Sequence, residues 1–89
     1  MKTDDNKYYN SLSYFPDGLP VPDLLTEEEA IRFLRLDEGG TKHPETSLEY
    51  YRSEGLLRGT RVGKRLRYLK SELFDFLDQQ TQRTNEDFS

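Results

Sequence analysis

Six basic side chains lie close together in the second half of the chain, with no acidic residue among them. They are Arg58, Arg61, Lys64, Arg65, Arg67 and Lys70. All seventeen acidic residues and the other seven basic residues lie elsewhere, so a chain of net charge −4 carries one cationic segment. Guanidinium groups suit phosphate because their planar fork can donate two parallel hydrogen bonds. This separation of charge predicts a polyanionic partner, and double-stranded DNA is the first choice.

The cationic segment also has the pattern of a β-hairpin. Gly63 and Lys64 offer a two-residue turn with glycine first, as a type II′ turn requires. Basic and apolar residues alternate over 65–69, which predicts one face resting on helices and another carrying guanidinium groups. The alternative is a solvated hairpin that happens to be basic. Six like charges in so short a span repel each other unless a partner neutralises them, so we favour the binding interpretation.

Two further patterns predict the helices that bracket this hairpin. Thr26 and Glu29 form a capping box, and the apolar residues that follow recur at helical spacing over about 27–36. Ser71 is the expected cap of the last helix, whose buried stripe lies within 73–77.

Another helix is predicted over about 45–54, between a proline at its start and the glycine cap Gly55. Leu48 and Tyr51 are spaced to face the core. The opposite side would face a ligand, and its candidate DNA-binding residues are Thr46, Ser47, Glu49, Tyr50 and Ser53.

The loop before this helix supplies three more polar candidates for DNA contact, Thr41, Lys42 and His43. His43 is the only histidine, and a histidine without neighbouring ligands is more often a surface or capping residue than a base. The chain has no cysteine, which excludes disulfides, thiolate nucleophiles and Cys-ligated zinc. No glycine-rich phosphate loop precedes a helix. We therefore expect no catalytic residue, no metal, no cofactor and no enzymatic activity.

The apolar residues concentrate between 24 and 80, which predicts one mainly α domain with a small β-hairpin. Helices and hairpin in this order make a winged helix-turn-helix, with three helices and a two-stranded wing. Residues 1–23 are expected to form an extended or flexible arm, and the sequence leaves open whether its aromatic side chains dock. Residues 81–89 are expected to be a flexible tail. No apolar run reaches the length of a membrane span or signal-peptide core, so we expect a cytoplasmic, nucleoid-associated protein without membrane contact.

Three stretches carry a resemblance to a known family. They read LLTEEEAIRFL at 24–34, SLEYYRSEGLL at 47–57 and RVGKRLRYLKSELFDFL at 61–77. Together they resemble the excisionase-type helix-turn-helix family, small relatives of the MerR regulators. The resemblance implies a recognition helix in the major groove and a wing on the flanking backbone or minor groove. It matches the groove-facing positions to Ser47, Glu49 and Tyr50, and the wing to Arg61, Lys64, Arg65 and Arg67.

This family includes excisionases that bend DNA during recombination and small transcription regulators, and the sequence does not choose between them. The chain departs from the family pattern in the longer loop 37–46 and at Glu49, Tyr50 and Arg52. It lacks room for a long dimerisation helix or effector domain, so we expect no small-molecule effector and at most weak or DNA-induced self-association. The alternative is a protein-interaction adaptor that keeps the fold and binds a protein partner through the acidic first helix, Glu49 and the aromatic arm.

Overall fold

The computed structural model describes residues 13–40 and 42–87. In that part of the chain, three α-helices accompany a three-stranded antiparallel sheet of order β1–β3–β2. In chain order the elements are β1 (Leu24–Leu25), α1 (Glu27–Phe33), a 3-10 turn (Leu36–Glu38), α2 (Pro44–Ser53), β2 (Thr60–Val62), β3 (Arg65–Leu69) and α3 (Lys70–Asp87).

The sheet has one strand more than the sequence predicts. In β1, Leu24 pairs with Leu69 and Leu25 pairs with Tyr68, so β3 becomes the central strand. Leu25 and Tyr68 are both fully buried. The prediction of a two-stranded wing is therefore wrong, because a strand of two residues is too short to show the alternation by which strands are recognised.

The first helix begins as predicted and ends early. The hydroxyl of Thr26 accepts a hydrogen bond from the Glu29 amide at 3.1 Å, and the Glu29 carboxylate accepts one from the Thr26 amide at 2.9 Å. This confirms the capping box. The helix stops at Phe33 rather than near residue 36, because Arg35 adopts a left-handed backbone with φ of 60°. The chain then continues into the 3-10 turn.

The other two helices differ from prediction mainly in length. Helix α2 lies within one residue of the predicted limits at each end. Helix α3 begins at Lys70, so Ser71 lies inside it and is not its cap. Strand β3 leads directly into α3, and the amide of Lys70 donates to the carbonyl of Asp23 at 2.8 Å. The helix continues to Asp87, past the predicted domain boundary at residue 80.

The core contains part of the predicted N-terminal arm. Its buried residues are Phe15, Val21, Leu25, Ala30, Ile31, Phe33, Leu48, Leu57, Tyr68, Leu73 and Phe76. The amide of Val21 donates to the carbonyl of Ser13 at 2.7 Å, and the guanidinium of Arg32 lies 4.4 Å from the centre of the Phe15 ring. The arm therefore docks on the domain from residue 13 onward, whereas the predicted arm residues 1–12 lie outside the described chain.

Candidate nucleic-acid interface

Strands β2 and β3 form the predicted hairpin. Gly63 has a positive φ of 64° and Lys64 does not lie in the left-handed region, which is the combination a type II′ turn needs. The register pairs Thr60 with Arg67, Arg61 with Leu66, and Val62 with Arg65.

The six basic residues of the hairpin region fall into two groups. Arg58 lies 3.8 Å from a carboxylate oxygen of Glu72, and the ammonium of Lys70 lies 3.6 Å from Asp23. Partly exposed pairs of this kind contribute about 0–1 kcal/mol each, so phosphate could compete for both cations. Within residues 13–40 and 42–87, the other four form no ion pair: Arg61, Lys64, Arg65 and Arg67.

The register distributes the arginines over two faces of the hairpin. Directly opposite residues of an antiparallel pair share a face, and successive residues alternate between faces. Arg61 therefore shares one face, here called the inner face, with Leu66 and with the buried Tyr68. Arg65 and Arg67 lie on the other, outer face, as the alternation predicts.

A groove runs between strand β3 and the start of α1. Its volume is about 660 Å³, and it is lined by Thr26, Glu27, Glu28, Lys64, Arg65, Leu66 and Arg67. Glu27 and Glu28, at the start of α1, are both exposed. Arg67 is half-buried there and donates to the carbonyl of Leu66 at 3.4 Å. The groove thus combines cations with carboxylates that repel phosphate.

The inner face is joined to the last turn of α2 by Arg52. The guanidinium of Arg52 donates a hydrogen bond to the hydroxyl of Tyr68. The Arg52 stem also lies next to Gly59, where a Cβ would be 3.4 Å from Cδ of Arg52 and would crowd Cδ1 of Leu66 at 3.1 Å. Arg52, one of the departures from the family pattern, thus has a specific partner in the structure.

Tyr68 is held in its neutral form by its surroundings. Burial raises the pKa of Tyr68 above its ordinary value of 10.0, and the hydrogen bond and positive charge of Arg52 oppose that effect. The charge of Glu27 adds to the increase. Near neutral pH the phenol is therefore protonated and accepts the hydrogen bond from Arg52.

Helix α2 presents a mostly polar outer side. Four of its five candidate residues are exposed: Thr46, Glu49, Tyr50 and Ser53. Ser47 is half-buried, so it is less available than predicted. Tyr50 is 56% exposed and contacts Tyr51 edge to face, while the hydroxyl of Ser53 donates to the Tyr50 carbonyl at 2.9 Å. Leu48 is fully buried, which confirms the predicted inward side.

The loop candidates lie beside the start of α2. Lys42 and His43 are exposed, whereas Thr41 lies outside the described residues. Nδ1 of His43 lies 3.9 Å from a carboxylate oxygen of Glu45, and 77% of the histidine side chain is exposed. In the part of the chain that the structure describes, no three side chains are grouped to hold a metal ion. Across the same residues, no helix combines the length and apolar character needed to cross a membrane.

Comparison of the chain with protein-family models, with curated proteins and with solved structures gives no match. The chemistry available to a partner must therefore be inferred from the molecule's own surface. That surface offers a hairpin with four cations that lack ion pairs among the described residues, beside an exposed polar helix.

Proposed function

We propose that this protein binds double-stranded DNA as a winged helix-turn-helix, with α2 as recognition helix and the hairpin as wing. The observation that carries the proposal is the set of four hairpin cations without a carboxylate partner within 4.0 Å in the described chain. Unpaired like charges on one short hairpin raise the energy of the free protein, and phosphates would neutralise them. The resemblance of segments 24–34, 47–57 and 61–77 to excisionase-type proteins supports the same function.

The hairpin and α2 would have different roles in recognition. Guanidinium and ammonium groups on the hairpin suit the phosphate backbone, which positions a protein without reading sequence. The exposed side chains of α2 suit base edges in the major groove. Glu49 can accept a hydrogen bond from the N4 amino group of cytosine, and the Tyr50 ring offers an apolar surface. A domain of this kind would act as a small transcription regulator or an excisionase-like factor.

The first test is fluorescence anisotropy of the full chain with a labelled random-sequence duplex across a range of salt concentrations. Each phosphate contact adds about −0.9 to the slope of log affinity against log salt, so two to four contacts give a slope of roughly −1.8 to −3.6. A steep negative slope supports the proposal. Absence of binding at low salt, or binding that does not respond to salt, contradicts it.

A second measurement separates the two proposed roles. Removing the positive charge of a DNA-contacting hairpin residue should weaken binding to every sequence alike. Tyr50→Ala should instead change the preference among sequences in a panel of sites. If both kinds of variant act identically across the panel, α2 is not the recognition helix.

The second candidate function is a protein-interaction adaptor, and a specific feature of the sheet favours it. Leu24 and Leu69 pair across strands β1 and β3 and remain 43% and 39% exposed. This exposed apolar pair suits a protein partner better than DNA. A protein that copurifies with the chain, together with no retention on DNA, would favour this function over the first.

A further inference from the structure

The four hairpin cations without ion pairs do not all face the same way. Arg61 and Arg65 are both exposed and both lie within two residues of the turn at Gly63, yet the register puts them on opposite faces. Arg61 shares the inner face with Leu66, and Arg65 shares the outer face with Val62. One duplex cannot lie flat against both faces of a two-stranded hairpin.

The inner face is continuous with α2. Arg52 extends from the last turn of α2 onto this face, where it donates to Tyr68 and passes over Gly59. Gly59 and Arg61 are two residues apart and so share a face. A ligand that contacts the exposed side of α2 next to Arg52 therefore meets Arg61 before any other hairpin arginine.

The groove that holds Arg65 and Arg67 is less suited to a polyanion. Arg65 and Arg67 line the same groove as Glu27 and Glu28. A phosphate in that groove would be repelled by the two carboxylates, and α1 rather than α2 forms the opposite wall. Arg67 is also half-buried and engaged with the carbonyl of Leu66.

We infer that the duplex contacts the hairpin beside α2, through the exposed Arg61, which lies at the part of the inner face that the core leaves uncovered. Arg61 is then the main phosphate contact among the hairpin arginines, and Arg65 and Arg67 point away from the DNA. This inference rests on the proposed function and assigns the face through which the hairpin acts. The family resemblance matches Arg61, Lys64, Arg65 and Arg67 to the wing without distinguishing its faces.

The chain offers a matched pair for the test. Arg61→Ala and Arg65→Ala each remove one exposed guanidinium next to the same turn, so both change the net charge of the protein by the same amount. The two variants differ in the face of the hairpin from which the guanidinium is removed. Affinity for a random-sequence duplex would be measured by anisotropy at several salt concentrations, and circular dichroism would confirm that both variants are folded.

The two variants should differ clearly. Loss of one phosphate contact reduces the magnitude of the salt slope by about 0.9, which corresponds to an affinity about eightfold lower at 0.1 M salt. We expect this for Arg61→Ala, and a change below about twofold for Arg65→Ala, through long-range charge alone. Equal losses in the two variants, or a larger loss in Arg65→Ala, overturn the inference while the proposed function stands. A wild-type chain that does not bind DNA overturns both.

A second measurement, by cross-linking, reports which face of the hairpin lies next to the duplex and does not rely on a loss of affinity. The chain contains no cysteine, so Arg61→Cys and Arg65→Cys can each carry a single photoactivated cross-linker. The cross-linker at 61 should attach to the duplex with the higher yield at equal occupancy. A higher yield from position 65 would show that the outer face lies against the DNA and would overturn the inference.

Discussion

The bond between Arg52 and Tyr68 makes a quantitative prediction about stability. Tyr68→Phe keeps the buried ring and removes the hydroxyl that accepts a hydrogen bond from the guanidinium. Hydrogen bonds to charged groups contribute about 1.5–3 kcal/mol, and we expect the lower limit because Arg52 is only half-buried. A loss of about 1.5 kcal/mol corresponds to a fall in Tm of about 6–12 °C for a domain of this size. Urea denaturation followed by circular dichroism would give the free energy directly.

Tyr50→Phe is the matched control, because it removes a hydroxyl from a ring that is 56% exposed. Its free energy of unfolding should stay within about 0.5 kcal/mol of the wild-type value. Arg52→Met, which keeps a stem and removes the charge, completes a double-mutant cycle with Tyr68→Phe. If Tyr68→Phe costs no more than the control, or if the cycle shows no coupling, the link between α2 and the hairpin is not energetically significant.

The same tyrosine gives the protein a specific pH dependence. Burial raises the pKa of Tyr68 in the folded state above 10.0, the ordinary value expected in the unfolded chain. The unfolded chain therefore releases this proton first, so the stabilising contribution is complete below pH 10 and is lost as the pH rises through the folded-state pKa. The Tyr68→Phe variant lacks this pH-dependent contribution to stability. The difference in unfolding free energy between wild type and variant should narrow above pH 10, and a constant difference would contradict the assignment.

Other predictions concern single positions. Thr26→Ala removes the capping bond to Glu29 and should lower the free energy of unfolding by about 1 kcal/mol, measured by urea denaturation. Gly59→Ala introduces a Cβ that lies 3.1 Å from Cδ1 of Leu66; the shift this requires of Leu66 opposes the entropic gain from removing a glycine, so we expect a net change within about 1 kcal/mol in the same assay. Glu49→Gln removes a carboxylate from the exposed side of α2. At about 10 Å from a phosphate in water the relief is about 0.4 kcal/mol, so affinity for random-sequence DNA should rise about twofold; a fall would place Glu49 in a favourable contact.

The elements that the sequence predicts well are those with a local chemical signal. The capping box at Thr26, the proline at the start of α2 and the glycine turn at Gly63 each fix the backbone through a few neighbouring residues. Their positions agree with the structure within one residue. The inward side of α2 is also correct, because Leu48 and Tyr51 are marked by helical spacing.

The features that the sequence analysis missed depend on contacts between distant segments. Strand β1 forms by pairing with β3, and a stretch of two leucines carries no local pattern that predicts a strand. The docking of Phe15 and the bond from Arg52 to Tyr68 are likewise long-range. The side of the hairpin on which Arg61 lies, by contrast, could have been predicted from the sequence. A two-residue turn at 63–64 pairs 62 with 65 and 61 with 66, which places Arg61 opposite Leu66.

If the protein binds DNA as proposed, the distribution of charge favours one orientation over the others. Glu27 and Glu28 line a groove together with Arg65 and Arg67, so a duplex approaching from that side meets carboxylates together with the arginines. An approach from the inner side meets Arg61 first. Like-charge contacts disfavour a wrong arrangement more strongly than exposed ion pairs favour a right one, because exposed pairs contribute little. Under the proposed function, the acidic start of α1 would therefore orient the duplex without touching a phosphate, since it leaves the side of Arg61 as the surface that a polyanion can approach without repulsion.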